Sequence, residues 1–160
     1  MPRAIVAVLI AVGMAGAQER NQTDKRAIEV VVGRFMETWN RHDARAFAAL
    51  FSEDADFTNL RGAHVRGRTG VEEFLAPLFT SSMKDTHLTG HLRSVRFLKP
   101  DIAMADIDWE MTGAIDSRGL ARAPLTGLFD WALTKTGGQW QITVMHNADF
   151  TGQAVPAPGK

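Results

Sequence analysis

The hydrophobic period changes once along this chain. Before Thr80 large apolar side chains recur at spacings of three and four, and beyond it at every second position. A spacing of three and four builds an apolar stripe on a helix, and a spacing of two builds an apolar face on a strand. Helices followed by strands predict an α+β domain, with the helices packed on one face of a curved antiparallel sheet. Neither half can bury its apolar surface alone, so each supplies the other's core.

The first half divides into three helices. Ile28, Val31, Val32, Phe35, Met36 and Trp39 form the stripe of the first, with Asp24 expected as its N-cap after a polar lead-in over 18–23. Asp43 is expected to cap a short second helix lined by Phe47, Leu50 and Phe51. Ser52 to Asp54 reads as a turn. Ala55 to Leu60 then alternates, with Ala55, Phe57 and Asn59 on one face. Residues 61–67 read as a hairpin-like loop. Thr69 and Glu72 match a capping box for a third helix bearing Val71, Phe74, Leu75 and Leu78. Pro77 should kink or end that helix near Ala76.

Four strand candidates follow, over 86–98, 102–111, 124–135 and 140–147, separated by Pro100-Asp101, Asp116 to Gly119 and Gly137-Gly138. Ala103, Ala105, Ile107, Trp109 and Met111 share a face. So do Phe129, Trp131 and Leu133, and so do Trp140, Ile142, Val144 and His146. Strand 86–98 carries charge on both parities, which leaves its inward face undefined.

The N-terminus has the pattern of a secretory signal over 1–17. Met1-Pro2-Arg3 is basic, Ala4 to Met14 is uncharged and apolar, and Ala15-Gly16-Ala17 fits a cleavage site. The apolar run is shorter than the roughly 20 residues that span a bilayer. The expectation is an exported protein, periplasmic or secreted, free of the membrane once cleaved after Ala17. The domain itself is expected over 18–150, and 151–160, with Pro156 and Pro158, as a disordered tail. The chain has no Cys, which excludes disulfides, thiolate metal sites and thiol nucleophiles. Its 18 Lys and Arg balance 18 Asp and Glu without a basic block, which argues against a nucleic-acid partner.

Several segments together resemble a known group: Phe35 to Asp43, Leu50 to Phe57, Gly67 to Val71, Arg96 to Asp101, and Trp140-Gln141-Ile142 running to His146-Asn147. The pattern resembles the SnoaL-like, SgcJ/EcaC-type group of the nuclear-transport-factor-2-like superfamily, to which ketosteroid isomerase and scytalone dehydratase also belong. The likeness covers about residues 24–150. It implies a cone-like α+β barrel, an internal pocket and frequent homodimers, and it leaves the function open because this fold hosts enzymes and binding modules alike.

Strand parity selects the candidate site. A polar group on an apolar face is the informative exception. Asn59 follows Ala55 and Phe57, and His146 follows Ile142 and Val144. With Trp39, Trp109 and Trp131 they make the expected ligand-binding set, and His146 is the expected catalytic acid/base of an enzyme reading. The structural alternatives are a satisfied His, an Asn bonding its own loop and core indoles. Asp106, Asp108, Glu110 and Asp130 fall on the face opposite the tryptophans, and the chain has no Tyr, so the acid pair of an isomerase does not carry over. His64, His87 and His91 lack the spacing of a metal motif, and neither a metal nor a cofactor is expected. Two small-molecule functions stay open, beside a structural dimerisation module whose acidic strand face meets a partner. One is binding of a small apolar or aromatic molecule without catalysis. The other is an isomerase, cyclase or dehydratase-type enzyme using His146.

Overall fold

The computed structural model describes residues 3–116 and 118–150, with solvent exposure described for Gly16 and, within those ranges, from Gln18 onward. The expected tail over 151–160 lies outside the described residues. The elements in chain order are α1 (Arg3–Asn40), α2 (Ala44–Ala48), β1 (Phe51–Thr58), β2 (His64–Arg66), α3 (Gly67–Phe79), β3 (His87–Lys99), β4 (Ile102–Thr112), β5 (Leu125–Thr136) and β6 (Gln139–Asp149). The helices pack on one face of a curved, unclosed six-stranded sheet of order β2-β1-β6-β5-β4-β3.

The α+β architecture agrees with the period change, but the sheet is mixed rather than purely antiparallel. β1 lies parallel to β6, with Phe57 opposite Met145. A four-stranded meander would leave β6 as an open edge, and an edge of unpaired backbone groups invites wrong pairing. β1 covers that edge, and β2 covers β1 through the pairs Asp56–Arg66 and Thr58–His64. Residues expected as loop therefore contain a three-residue strand.

The helices differ from expectation at their ends. α1 runs without interruption from Arg3 through the expected lead-in. Gln18, Glu19, Arg20 and Gln22 are good helix formers, and no proline intervenes between them and Asp24. Asp24 is therefore not a cap. Its carboxylate turns sideways into the protein, as described below. Among the described residues no helix is long and apolar enough to cross a membrane. Asp43 does cap α2, its Oδ1 accepting the Ala46 N–H at 2.9 Å, but α2 stops at Ala48. Phe51 and residues 52–54 belong to β1, because Ile142 N–H donates to the Leu50 carbonyl and draws the chain into the sheet. α3 begins at Gly67, so Thr69 and Glu72 sit inside the helix and form no cap. Pro77 lies in its last turn, and the helix continues only to Phe79.

The expected stripe of α1 is buried along its whole length, from Ile28 to Trp39. It packs against the inner face of the sheet, where Ala103, Ala105, Ile107, Trp109 and Met111 of β4 are all buried. Phe35 is at the centre, with its ring 4.4 Å from Phe47, 5.2 Å from Phe129 and 4.9 Å from Trp131. Burial of a ring this size contributes about 3 kcal/mol relative to exposure.

Two irregularities decide which side chains face that core. In β3 the register shifts between Leu92 and Ser94. Leu88 and Leu92 lie opposite Met111 and Ile107, whereas after the shift Val95 and Phe97 take the inward positions opposite Ala105 and Ala103. The mixed parity of this strand thus reflects an inserted residue, Arg93. In β6, Leu133 pairs with Ile142 but Ala132 pairs with Val144, so Thr143 is the extra residue of a bulge. A bulge exchanges the two faces of the strand beyond it. Trp140 and Ile142 point inward, and after Thr143 the inward residue is Met145, 2% exposed.

Candidate functional site

The bulge at Thr143 relocates the residue expected to carry chemistry. His146 is exposed and paired with Asp130 on the outer face, not in phase with Ile142. The inward position expected of His146 is thereby corrected. Asn59 is the second polar residue of the expected set. It lies just past β1, and its Oδ1 accepts the Arg61 and Ala63 N–H groups at 2.8 and 2.9 Å. It closes the β1–β2 turn, the local bonding that Asn favours.

The three expected tryptophans do lie on the inner side. Trp39 is 8% exposed, Trp109 4% and Trp131 fully buried. Trp39 is satisfied: its Nε1 donates to Thr86 Oγ1 at 3.1 Å. Trp140 is also satisfied, donating to Asp24 Oδ1 at 3.1 Å. Trp109 and Trp131 differ, since among the described residues neither Nε1 has a partner. An indole nitrogen can only donate, so neither can be satisfied in another way.

The inner face of β4, β5 and β6 is a grid. Trp109 lies opposite Gly127, Ile107 opposite Phe129 opposite Asn147, and Ala105 opposite Trp131 opposite Met145. The rings of Trp109 and Phe129 stack with centroids 5.3 Å apart and planes 20° apart, and those of Phe129 and Trp131 follow at 6.3 Å with the same tilt. Gly127 makes this possible. A Cβ there would strike the Trp109 ring and the Ala148 carbonyl oxygen. The wall is therefore a flight of nearly parallel aromatic rings, apolar in its faces and carrying two unpaired N–H groups at its edges.

Asn147 is the residue that sequence reasoning missed. It falls in phase with Met145, and its Oδ1 is buried with no partner among the described residues. Only the bulge places it there, and no signal in the strand pattern announces one extra residue. His42, after the end of α1, adds a fourth such atom: its Nε2 is buried and unpaired, and its ring stands edge-on to Phe79 at 5.3 Å.

Apart from Asp149, which ends β6 opposite Gly127, the charged groups lie elsewhere. Asp108 is held from the outer side by Arg93, whose Nε donates at 2.9 Å, and Asp106 accepts from Ser94 Oγ at 2.7 Å. His64 lies 3.2 Å from Asp56. His87 and His91 are exposed, and among the described residues no group of three His, Asp or Glu could hold a metal ion. The exception is Asp24, the only carboxylate that is buried among the described residues. Lys135 Nζ donates to it at 2.6 Å and also lies 5.8 Å from the Trp140 ring centroid. Burial pushes the Asp24 carboxyl up, but the Lys135 and Trp140 hydrogen bonds and the Lys135 charge outweigh burial and hold it below the usual carboxylate range.

A family model for the SnoaL-like domain matches residues 32–154. The chain belongs to that family. Among solved structures it is similar to a domain of unknown function with a cystatin-like fold from Nostoc punctiforme, at 30% identity over 79% of this chain and 76% of that one, with a TM-score of 0.69. It is also similar to a ketosteroid isomerase-like protein from Erwinia carotovora atroseptica, at 18% identity over 78% and 94% with a TM-score of 0.65. An NTF-2 like protein of unknown function from Shewanella oneidensis gives 21%, 79% and 99%, and 0.62. The last two likenesses show the fold alone. No match was found among the curated proteins.

Proposed function

We propose that this SnoaL-like chain binds a small apolar or aromatic molecule against the inner face of its sheet, without catalysis by the residues that line it. The observation that supports this is the Trp109–Phe129–Trp131 wall, which pairs apolar ring faces with unpaired buried donors. Binding sites for small molecules have this make-up, with apolar walls and few fixed polar groups. The enzyme reading through His146 has no comparable support, because that imidazole is on the outer face. The test is thermal unfolding in the presence of uncharged aromatic probes such as indane and naphthalene. A ligand at a hundred times its Kd stabilises by about 2.7 kcal/mol, a shift of several degrees. No shift with any such probe refutes the reading.

The same proposal includes export and a homodimer. Residues 18–23 are exposed, and Asp24 is the first of the described side chains to be buried, so the described core from Asp24 onward lies wholly within the chain that cleavage after Ala17 leaves. N-terminal sequencing of the exported chain should begin at Gln18, and a retained Met1 refutes it. The outer face of β4 to β6 mixes half-buried Met104, Leu128 and Val144 with Asp106 and Asp130, and suits a second copy better than bulk water. A monomer by sedimentation at high concentration refutes the dimer.

A further inference from the structure

The outer face of the sheet carries a polar row that spans four strands. Ser94 of β3 lies opposite Asp106 of β4, Asp106 opposite Asp130 of β5, and Asp130 opposite His146 of β6. Opposed side chains on neighbouring strands stand about 5 Å apart at Cβ, and like charges placed so destabilise each other. Asp106 is supported, since it accepts from Ser94 Oγ at 2.7 Å and lies within electrostatic reach of Arg93. Asp130 is not. It is exposed in the middle of the face, and among the described residues its carboxylate has neither a hydrogen bond nor an ion pair.

The other charges around the row are engaged or set apart. Arg93 and His91 turn to Asp108, while Arg66 and His64 turn to Asp56, beside Val144. Glu110 lies further along β4, opposite Thr126, and Asp149 falls in phase with Asn147 on the inner side. Arg96 ends the next row, opposite Met104. The rest of that row is apolar, with Met104, Ala132 and Val144 opposite one another and half-buried. Across β5 the two flanking strands are therefore matched row by row. Apolar Met104 answers apolar Val144, and acidic Asp106 answers basic His146.

That matching decides how two copies can meet face to face. A two-fold axis running along β5 lays β4 of each copy over β6 of the other and keeps the rows level. Met104 then meets Val144 and Asp106 meets His146, with the two Asp130 carboxylates together at the axis. An axis running across the strands would set Asp106 on Asp106 and His146 on His146. A two-fold interface has to be complementary to itself, which favours the first arrangement.

We propose that the outer face joins two copies about a two-fold along β5, and that the row of Asp106, Asp130 and His146 makes this dimer tighten as pH falls from about 8 to about 5.5. This rests on the homodimer reading above and adds its geometry and its response to pH. A charged His146 pairs with Asp106 of the other copy, and one shared proton relieves the two Asp130 carboxylates. The dimer thus holds more protons than two separate chains. It is strongest where histidine is charged and weakens as pH rises through the neutral range.

Sedimentation equilibrium gives the dimer Kd of the native chain, of His146→Gln and of Asp130→Asn at about pH 8 and about pH 5.5. The native Kd should fall by about tenfold or more at the lower pH, the scale of a close charge pair at an interface. In His146→Gln that ratio should drop to about threefold or less. Asp130→Asn should dimerise about tenfold more tightly than the native chain at the higher pH. Both side chains are exposed in the single chain, so neither change disturbs the core. The axis is read by cross-linking, because the native protein has no Cys. On oxidation, chains with Asp106→Cys should link to chains with His146→Cys. Linking of each only to itself, or none at all, overturns the geometry. A native dimer indifferent to pH, or a pH response that survives both substitutions, overturns the inference and leaves the homodimer standing. A monomer at both pH values refutes the homodimer and this inference with it.

Discussion

Two regions of this protein use tryptophan in opposite ways. At the β5–β6 turn Trp140 donates to Asp24, and at the start of β3 Trp39 donates to Thr86. Both bonds tie α1 to the sheet, one near each end of its buried stretch. In the middle of the inner face Trp109 and Trp131 are as deeply buried but, among the described residues, donate to nothing. A buried unpaired polar group costs about 1–3 kcal/mol. The domain thus spends its hydrogen bonds on placing the long helix and leaves them open on the wall that the helix covers. The difference separates indoles that tie the helix to the sheet from the indoles to which the proposed function assigns a ligand.

The comparison can be broken at four points. The largest effect is expected from Gly127→Ala, since the added methyl meets both the Trp109 ring and a backbone oxygen. A loss of about 3 kcal/mol by urea unfolding, as for overpacked cores, with a changed near-ultraviolet signal of Trp109, is the expected result. A neutral substitution would show that the ring does not rest on Gly127.

Asp24→Ala should cost about 2 kcal/mol, because it leaves the Trp140 N–H unpaired while Lys135, 28% exposed, can turn to water. The carboxyl of Asp24 is held below its ordinary value, so its contribution is complete above the unfolded pKa of about 4 and is lost as pH falls through the lower folded value. The acid limb of stability against pH should flatten in Asp24→Asn. An unchanged limb would remove Asp24 from the acid response.

Trp140→Phe and Trp109→Phe sharpen the comparison by deleting the same group from the two regions. The first removes a made bond, at about 1 kcal/mol beyond the loss of ring area. The second removes an unpaired donor, so it should destabilise less. If Trp109→Phe proves the more costly, its N–H is satisfied in solution without a ligand. His146→Ala should change stability by less than about 0.5 kcal/mol, as for most exposed positions, and should leave binding of the aromatic probes unaltered. A loss of binding would return His146 to the site.

The fold was legible because its main signal is long-range periodicity. The stripe from Ile28 to Trp39 and the alternation from Ala103 to Met111 each repeat five or six times, and a single exception cannot hide them. What escaped was local. β2 is three residues long and shows no alternation, and Ala44–Ala48 is too short to mark its own end. Asp24 has the residue type of a cap, and only the position of Lys135, far away in sequence, reveals another use. At the site, Trp109 and Trp131 could be placed on the inner face by parity. The contrast between paired and unpaired indoles could not, since it depends on Thr86 and Asp24 arriving from other elements. Asn147 and His146 were exchanged because parity counts residues and does not see the bulge.

That bulge makes the last strand behave like a text with a reading frame. Thr143 is a single inserted letter, and everything after it is read on the other face: Met145 and Asn147 inward, His146 outward. Removing one residue there would present an imidazole to the aromatic wall and send the amide to the surface, with no other substitution. A relative with the same letters and one fewer of them would carry a different chemistry in the same fold. Comparisons within such a family therefore have to align strands by their pairing partners, because aligning them by residue identity would match a buried group to an exposed one.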